Sequence, residues 1–170
     1  MTLNEAVIES VHLTEAEMAK YVIDATKEVF STMVMMNVDD SFPLREPVTK
    51  FSCSITGMVG LVGTYSGVLS IHCPRPLALK ITSNMLGMEV EEAGEAEEDV
   101  NDALGEIANM LGGQVKMVLS KGGMDMNISI PTIISGEEYT INSMAESDCV
   151  IIPFDTGEEK FLVSLKLKKE

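Results

Sequence analysis

DALGEIANMLGGQVKMVLS, residues Asp102 to Ser120, is the stretch on which the reading of this chain turns. At about 100° per residue, Leu104, Ile107, Leu111, Val115 and Val118 fall on one side of a helix, and Asp102, Glu106, Asn109, Gly113 and Lys116 form a narrow stripe opposite. The first set commits the helix to a core. The second leaves a carboxylate, Glu106, and a carboxamide, Asn109, one turn apart on the open side. Gly105, Gly112 and Gly113 surround that pair, although each interior glycine costs a helix about 1 kcal/mol relative to alanine. Such a sequence predicts close approach at this face. On spacing alone an ordinary solvated helix face accounts for the acids and amides better than a site does.

Working outward, the acidic segment before the helix, MEVEEAGEAEEDVND, reads as a solvated connector whose later carboxylates complement the positive end of the helix that follows. Before it, Pro74 and Pro76 open a helix that closes at Gly87. KFSCSITGM alternates, with Phe51, Cys53 and Ile55 against Ser52, Ser54 and Thr56, and TYSGVLSIH alternates again, so the two predict a hairpin. Between them Gly57, Gly60 and Gly63 lack the GxxxxGK[ST] pattern of a phosphate loop, and they read as bulges or close backbone approach. Residues 37 to 47 read as a loop, and residues 1 to 12 as a short helix or strand.

Earlier in the chain, Leu13, Thr14, Glu17 and Met18 spell a capping box with a hydrophobic staple. The helix they start is expected to reach about Met36, burying Met18, Val22, Ala25, Val29, Met33 and Met36. After the long helix come MNISIPTII, SDCVIIPF and KFLVSLKLK, with a turn at Asp155, Thr156 and Gly157. Lys166 and Lys168 on the last strand are expected to guard a sheet edge. The fold class is α+β: one domain over residues 1 to 170, an antiparallel β-sheet with long helices packed on it.

Composition narrows the function. Of 170 residues 45% are hydrophobic and 23% charged, which is ordinary for a globular domain. The 27 acidic residues outnumber the 12 basic ones and leave a net charge of -15, which argues against a nucleic-acid partner and against an anionic membrane surface. No run of about 20 apolar residues is present, and the N-terminus lacks a signal-peptide pattern, so a cytoplasmic location is expected. Cys53, Cys73 and Cys149 are widely spaced and read as reduced, buried thiols. His72 and Cys73 point to opposite faces of a strand, and no calcium-loop pattern occurs, so no metal site is expected.

The spacing D-x-x-x-E-x-x-N at Asp102, Glu106 and Asn109, the glycines after it and the later ISIPT at Pro131 resemble the CheC/CheX family of chemotaxis phosphatases. The order of elements resembles the CheX layout along nearly the whole chain, and it is this match in order that outweighs the ordinary reading of the stripe. The resemblance implies a CheX-like fold with internal pseudo-symmetry, homodimerisation through the sheets, and removal of the phosphoryl group from the phospho-aspartate of a CheY-type response regulator. It implies that Glu106 pairs with the lysine of the regulator's active site. Asn109 suits the positioning of water, because an amide donates and accepts at once and does not titrate near neutral pH. Asp102, Gly105, Gly112 and Gly113 are expected at the partner's rim, with tight packing against the first helix the equal alternative for Gly105 and Gly112. No cofactor of the chain's own is expected, and Mg2+ is expected from the bound regulator. The alternative is a non-catalytic CheC-like adaptor that binds a regulator or a flagellar switch component. Asp24, Glu28 and Ser31 repeat the spacing on the first helix with serine for asparagine, either as a degenerate second motif or by coincidence.

Overall fold

A computed structural model describes residues 14–43, 50–121, 125–142 and 149–169. Helix α1 (Glu15–Val29) starts as its sequence dictates. The Thr14 hydroxyl accepts from the Glu17 N–H at 3.1 Å, and the Glu17 carboxylate accepts from the Thr14 N–H at 2.7 Å. That second bond also holds the Glu17 carboxyl below the ordinary carboxylate range. The expected staple residue Leu13 lies outside the described residues.

The helix does not continue as α to Met36. Phe30–Val34 form a π-turn, and Met35 then adopts a left-handed φ of 56°. The wider turn rotates the face that meets the core. Phe30 and Val34 are buried, whereas Met33 is 40% exposed and Met36 only half-buried. Phe30 stacks on Phe161 at 4.7 Å between ring centres, and Phe161 on Phe154 at 5.1 Å, so the π-turn delivers an aromatic column to the core.

One antiparallel sheet runs in the order β1 (Asp39–Asp40), β6 (Cys149–Asp155), β7 (Lys160–Lys169), β3 (Tyr65–Cys73), β2 (Lys50–Gly63) and β4 (Met126–Ile128). Strand β5 (Thr132–Asn142) also pairs with β2. The stretch read as a loop over residues 37 to 47 thus contains β1, tied to α1 by Lys27 and Asp40 at 2.7 Å. Because β7 lies between β6 and β3, Lys166, opposite Cys149, is not an edge guard, which corrects that expectation; Lys168 lies beyond the last described pair of β6 and β7. Their strand is interior because residues 149–155 return to cover it.

Strand β2 is the long axis of the sheet and runs straight through Gly57 and Gly60 to Gly63. Its register with β5 shifts between Cys53 and Ile55, where the extra residues lie on β5 between Tyr139 and Ser135. The ISIPT segment is likewise divided: β4 ends at Ile128, β5 begins at Thr132, and Pro131, which has no N–H to give a ladder, falls between them.

Helix α2 (Arg75–Leu86) ends on Gly87 at φ 67°, as its sequence predicts. The acidic stretch after it is not an irregular connector. It folds as α3 (Val90–Glu95) and as the first turns of α4 (Glu97–Lys121), whose opening residues Glu97, Glu98 and Asp99 favour the positive helix end. Ala93 and Val100 are its buried anchors. Helix α4, at 25 residues about 37 Å long, lays Val100, Leu104, Ile107, Leu111, Val115 and Leu119 on the sheet. Val118, expected in that face, is half-buried.

Candidate functional site

Helix α4 meets β2 so closely that side chains are excluded on both sides. A β-carbon on Gly57 would stand 2.9 Å from the Leu104 carbonyl oxygen, and one on Gly112 would run into Cγ2 of Val59. Gly105 faces Pro131 and Ile133 at 3.5 and 3.7 Å. Gly105 and Gly112 are therefore buried against the protein's own strand and link, and not against the first helix. Their small size serves this internal packing, which corrects their expected place at a partner's rim. Gly113 differs: nothing lies within 4 Å of where its β-carbon would be, so it leaves an open notch on the helix surface.

That close seating holds the stripe outward. Asp102 and Glu106 are exposed and Asn109 is half-buried. Among the described residues neither the Glu106 carboxylate nor the Asn109 amide has a hydrogen-bond partner within the chain. The two sit three residues apart, about 4.5 Å of helix rise, on a helix locked to the sheet along its length. Lys116 is half-buried two turns beyond Asn109, too far along to share an anion with it.

The spacing repeated on α1 is arranged differently. Asp24, Glu28 and Ser31 are exposed, and Asp24 and Glu28 line a groove between α1 and α4 with Tyr21 and Gln114. The Ser31 hydroxyl donates to the Glu28 backbone carbonyl at 3.1 Å, and the π-turn that begins at Phe30 carries Ser31 off the α-helical register. This set presents no amide.

His72 and Cys73 separate as strand geometry requires. Cys73 enters the main core, and burial pushes its thiol up. The imidazole of His72 is buried between the Thr56 hydroxyl (2.9 Å to Nδ1) and the Ser164 hydroxyl (3.3 Å to Nε2). Desolvation lowers its pKa to about 4. The Tyr139 hydroxyl also donates to Thr56 at 2.7 Å, completing a polar network that the sequence reading did not anticipate. Its members are far apart in the chain, and the strand pairing of β2 with β3 and β5, and of β3 with β7, brings them together.

Comparison with known proteins defines the class first. The model of the family described as chemotaxis phosphatase CheX matches residues 55–155. A crystal structure of CheX from Desulfovibrio desulfuricans superposes with a TM-score of 0.76 at 30% identity, covering 89% of this chain and 99% of that one. The CheX of a CheX–CheY–BeF3–Mg2+ complex from Borrelia burgdorferi, at 21% identity, shares the fold with a TM-score of 0.72 over 89% of this chain and 97% of that one. A sequence relative, the CheY-P phosphatase CheX of Thermotoga maritima, is 32% identical over 68% of this chain and 72% of its own. The chain belongs to the CheX family of chemotaxis phosphatases.

Proposed function

We propose that this protein hydrolyses the phospho-aspartate of a CheY-type response regulator, with Asn109 positioning the attacking water and Glu106 anchoring the helix in the regulator's active site. The observation that carries the reading is the unpartnered pair itself: a carboxylate and an amide one turn apart, outward-facing, on a helix whose glycines seat it rigidly on the sheet. The naming of a 32%-identical relative as a CheY-P phosphatase supports the same activity.

In this mechanism α4 enters the partner's pocket along the Asp102–Asn109 stripe. The Asn109 carbonyl accepts a hydrogen bond from the water and its NH2 donates one, fixing a lone pair in line with phosphorus. The water oxygen bonds to phosphorus, the acyl oxygen–phosphorus bond breaks, the regulator's aspartate leaves as carboxylate, and the water's protons remain with phosphate and solvent. A glutamine orients water in the same way in small GTPases. Glu106 pairs with the regulator's lysine, Asp102 contacts the rim, and the open notch at Gly113 lets the partner lie close. Asp102 and Glu106 are the only carboxylates of the stripe, and no group of three or more histidine, cysteine or carboxylate side chains able to hold a metal occurs among the described residues. Mg2+ is proposed to come with the regulator and would there supply charge neutralisation at the phosphoryl group. The setting proposed is cytoplasmic, with the protein acting as a homodimer.

The test is release of phosphate from a regulator labelled with radioactive acetyl phosphate. Asn109→Ala should lower turnover by at least about 100-fold while regulator binding persists and stability moves by less than about 0.5 kcal/mol. Unchanged turnover would exclude the role given to Asn109. Binding with no hydrolysis by the unmodified protein would leave an adaptor.

A further inference from the structure

Ile130 is 84% exposed, more than any other large hydrophobic residue described. It stands in the link between β4 and β5, and two contacts fix where that link runs. Ile128 lies 3.9 Å from the β-carbon position of Gly112, and Pro131 lies 3.5 Å from that of Gly105. Seven helical residues rise about 10 Å, and three extended residues span about the same distance. The link therefore lies antiparallel along α4 from Gly112 back to Gly105. Two-thirds of the way along it, Ile130 comes level with the turn between Glu106 and Asn109. Around the helix, Asn109 is only about 40° from Gly105, so the link borders the stripe directly.

The segment is held in place. The Ser129 N–H donates to the Gly60 carbonyl at 2.9 Å, the Gly60 N–H donates to the Ser129 hydroxyl at 2.8 Å, and that hydroxyl donates to the Ile130 carbonyl at 3.0 Å. Neighbouring exposed residues do not share the position: Ile133 packs on Gly105, so Ile134, the next residue of the strand, points to the opposite face. A branched aliphatic side chain is thus presented to solvent on a braced backbone, beside the amide's edge of the stripe and level with the turn that carries the acid.

We infer that Ile130 is a docking residue for the response regulator, inserting into an apolar depression beside the regulator's phosphorylated aspartate while Glu106 meets a cation there. This rests on the phosphatase reading and adds to it a second, uncharged determinant of partner choice. The surface recognised is mixed, with a cationic group and an apolar pocket within about 10 Å of each other, the length over which the link and the helix run together.

The experiment uses the whole protein and a CheY-type regulator from the same organism, phosphorylated with acetyl phosphate for turnover and loaded with beryllofluoride and Mg2+ for binding. Ile130→Ser should raise KM and weaken binding roughly tenfold or more, the effect of leaving a buried aliphatic side chain out of an interface, with kcat within about twofold. The loss should persist at high salt, whereas that of Glu106→Gln should shrink. Ile130→Leu should restore most of the affinity. The exposure of the site keeps the thermal midpoint of all three variants near that of the parent. Unchanged KM and binding in Ile130→Ser, or a fall in kcat alone, overturns the docking role. Dissociation of a dimer with unchanged KM also overturns it, by giving the residue to a self-interface. Because Asn109→Ala is measured alongside, an inactive Asn109→Ala with a normal Ile130→Ser sinks this inference only, and an active Asn109→Ala sinks the phosphatase reading beneath it.

Discussion

A glycine's meaning on α4 depends on which way its missing side chain would have pointed. Gly112 abuts Val59, a buried β-branched residue with no freedom to yield, and a β-carbon there would overlap it. Gly112→Ala should therefore destabilise by about 1–3 kcal/mol, read by urea denaturation. Gly113 meets nothing within 4 Å, so Gly113→Ala should stabilise the fold by up to about 1 kcal/mol through helix propensity alone. Equal effects of the two substitutions would refute the packing account. Both glycines stand next to the stripe in sequence, where close approach at the open face is expected, yet what approaches Gly112 is a strand of the same chain on the buried side. That distinction belongs to contacts between residues more than 50 positions apart. Glu106 and Asn109 were legible because a helical period assigns them to the outer side whatever the helix packs on.

Among the elements, the starts of helices were easier to read than their continuations. The capping box at Thr14 and Glu17 is a local matter of side chains and N–H groups three residues apart, and it forms as expected. Thr14→Ala should cost about 1 kcal/mol in urea denaturation without altering turnover. A loss of activity greater than the loss of folded protein would show that α1 does more than brace the core. The π-turn at Phe30–Val34 was not legible, since a widened turn has no composition of its own and is held by tertiary partners. Phe30 stacks on Phe161, and Asn84 of α2 donates to the Val34 carbonyl at 2.9 Å. The acidic segment ahead of α4 misled in the opposite sense. Its charge read as a solvated connector and most of its glutamates are exposed, yet glutamate and alanine are good helix formers, and the segment folds as α3 and the first turns of α4.

At the scale of the whole molecule, the sheet buries a titratable network that should shape stability against pH. The folded pKa of His72, about 4, lies below the ordinary histidine value of about 6.5, so between these values the unfolded chain holds a proton that the folded protein does not. Stability from this group is complete above about pH 6.5 and falls as pH drops toward 4, by up to roughly 3 kcal/mol. Denaturation midpoints at pH 7, 5.5 and 4.5 should show this decline, and His72→Gln should flatten it. An undiminished slope in the variant would assign the effect to other groups. The sequence by itself determined the α+β class, the helical stripe of Asp102, Glu106 and Asn109, the capped first helix and the opposing character of His72 and Cys73, all consequences of periodicity and of neighbours within one turn or one pleat. Only the tertiary structure decided that β7 is interior, that β2 passes through its glycines, that the ISIPT segment splits into two strands, and that Ile130 is exposed on a link running along α4 from Gly112 to Gly105. Those facts follow from which strands hydrogen-bond to which, and from how near two backbones can come once the side chains between them have been removed.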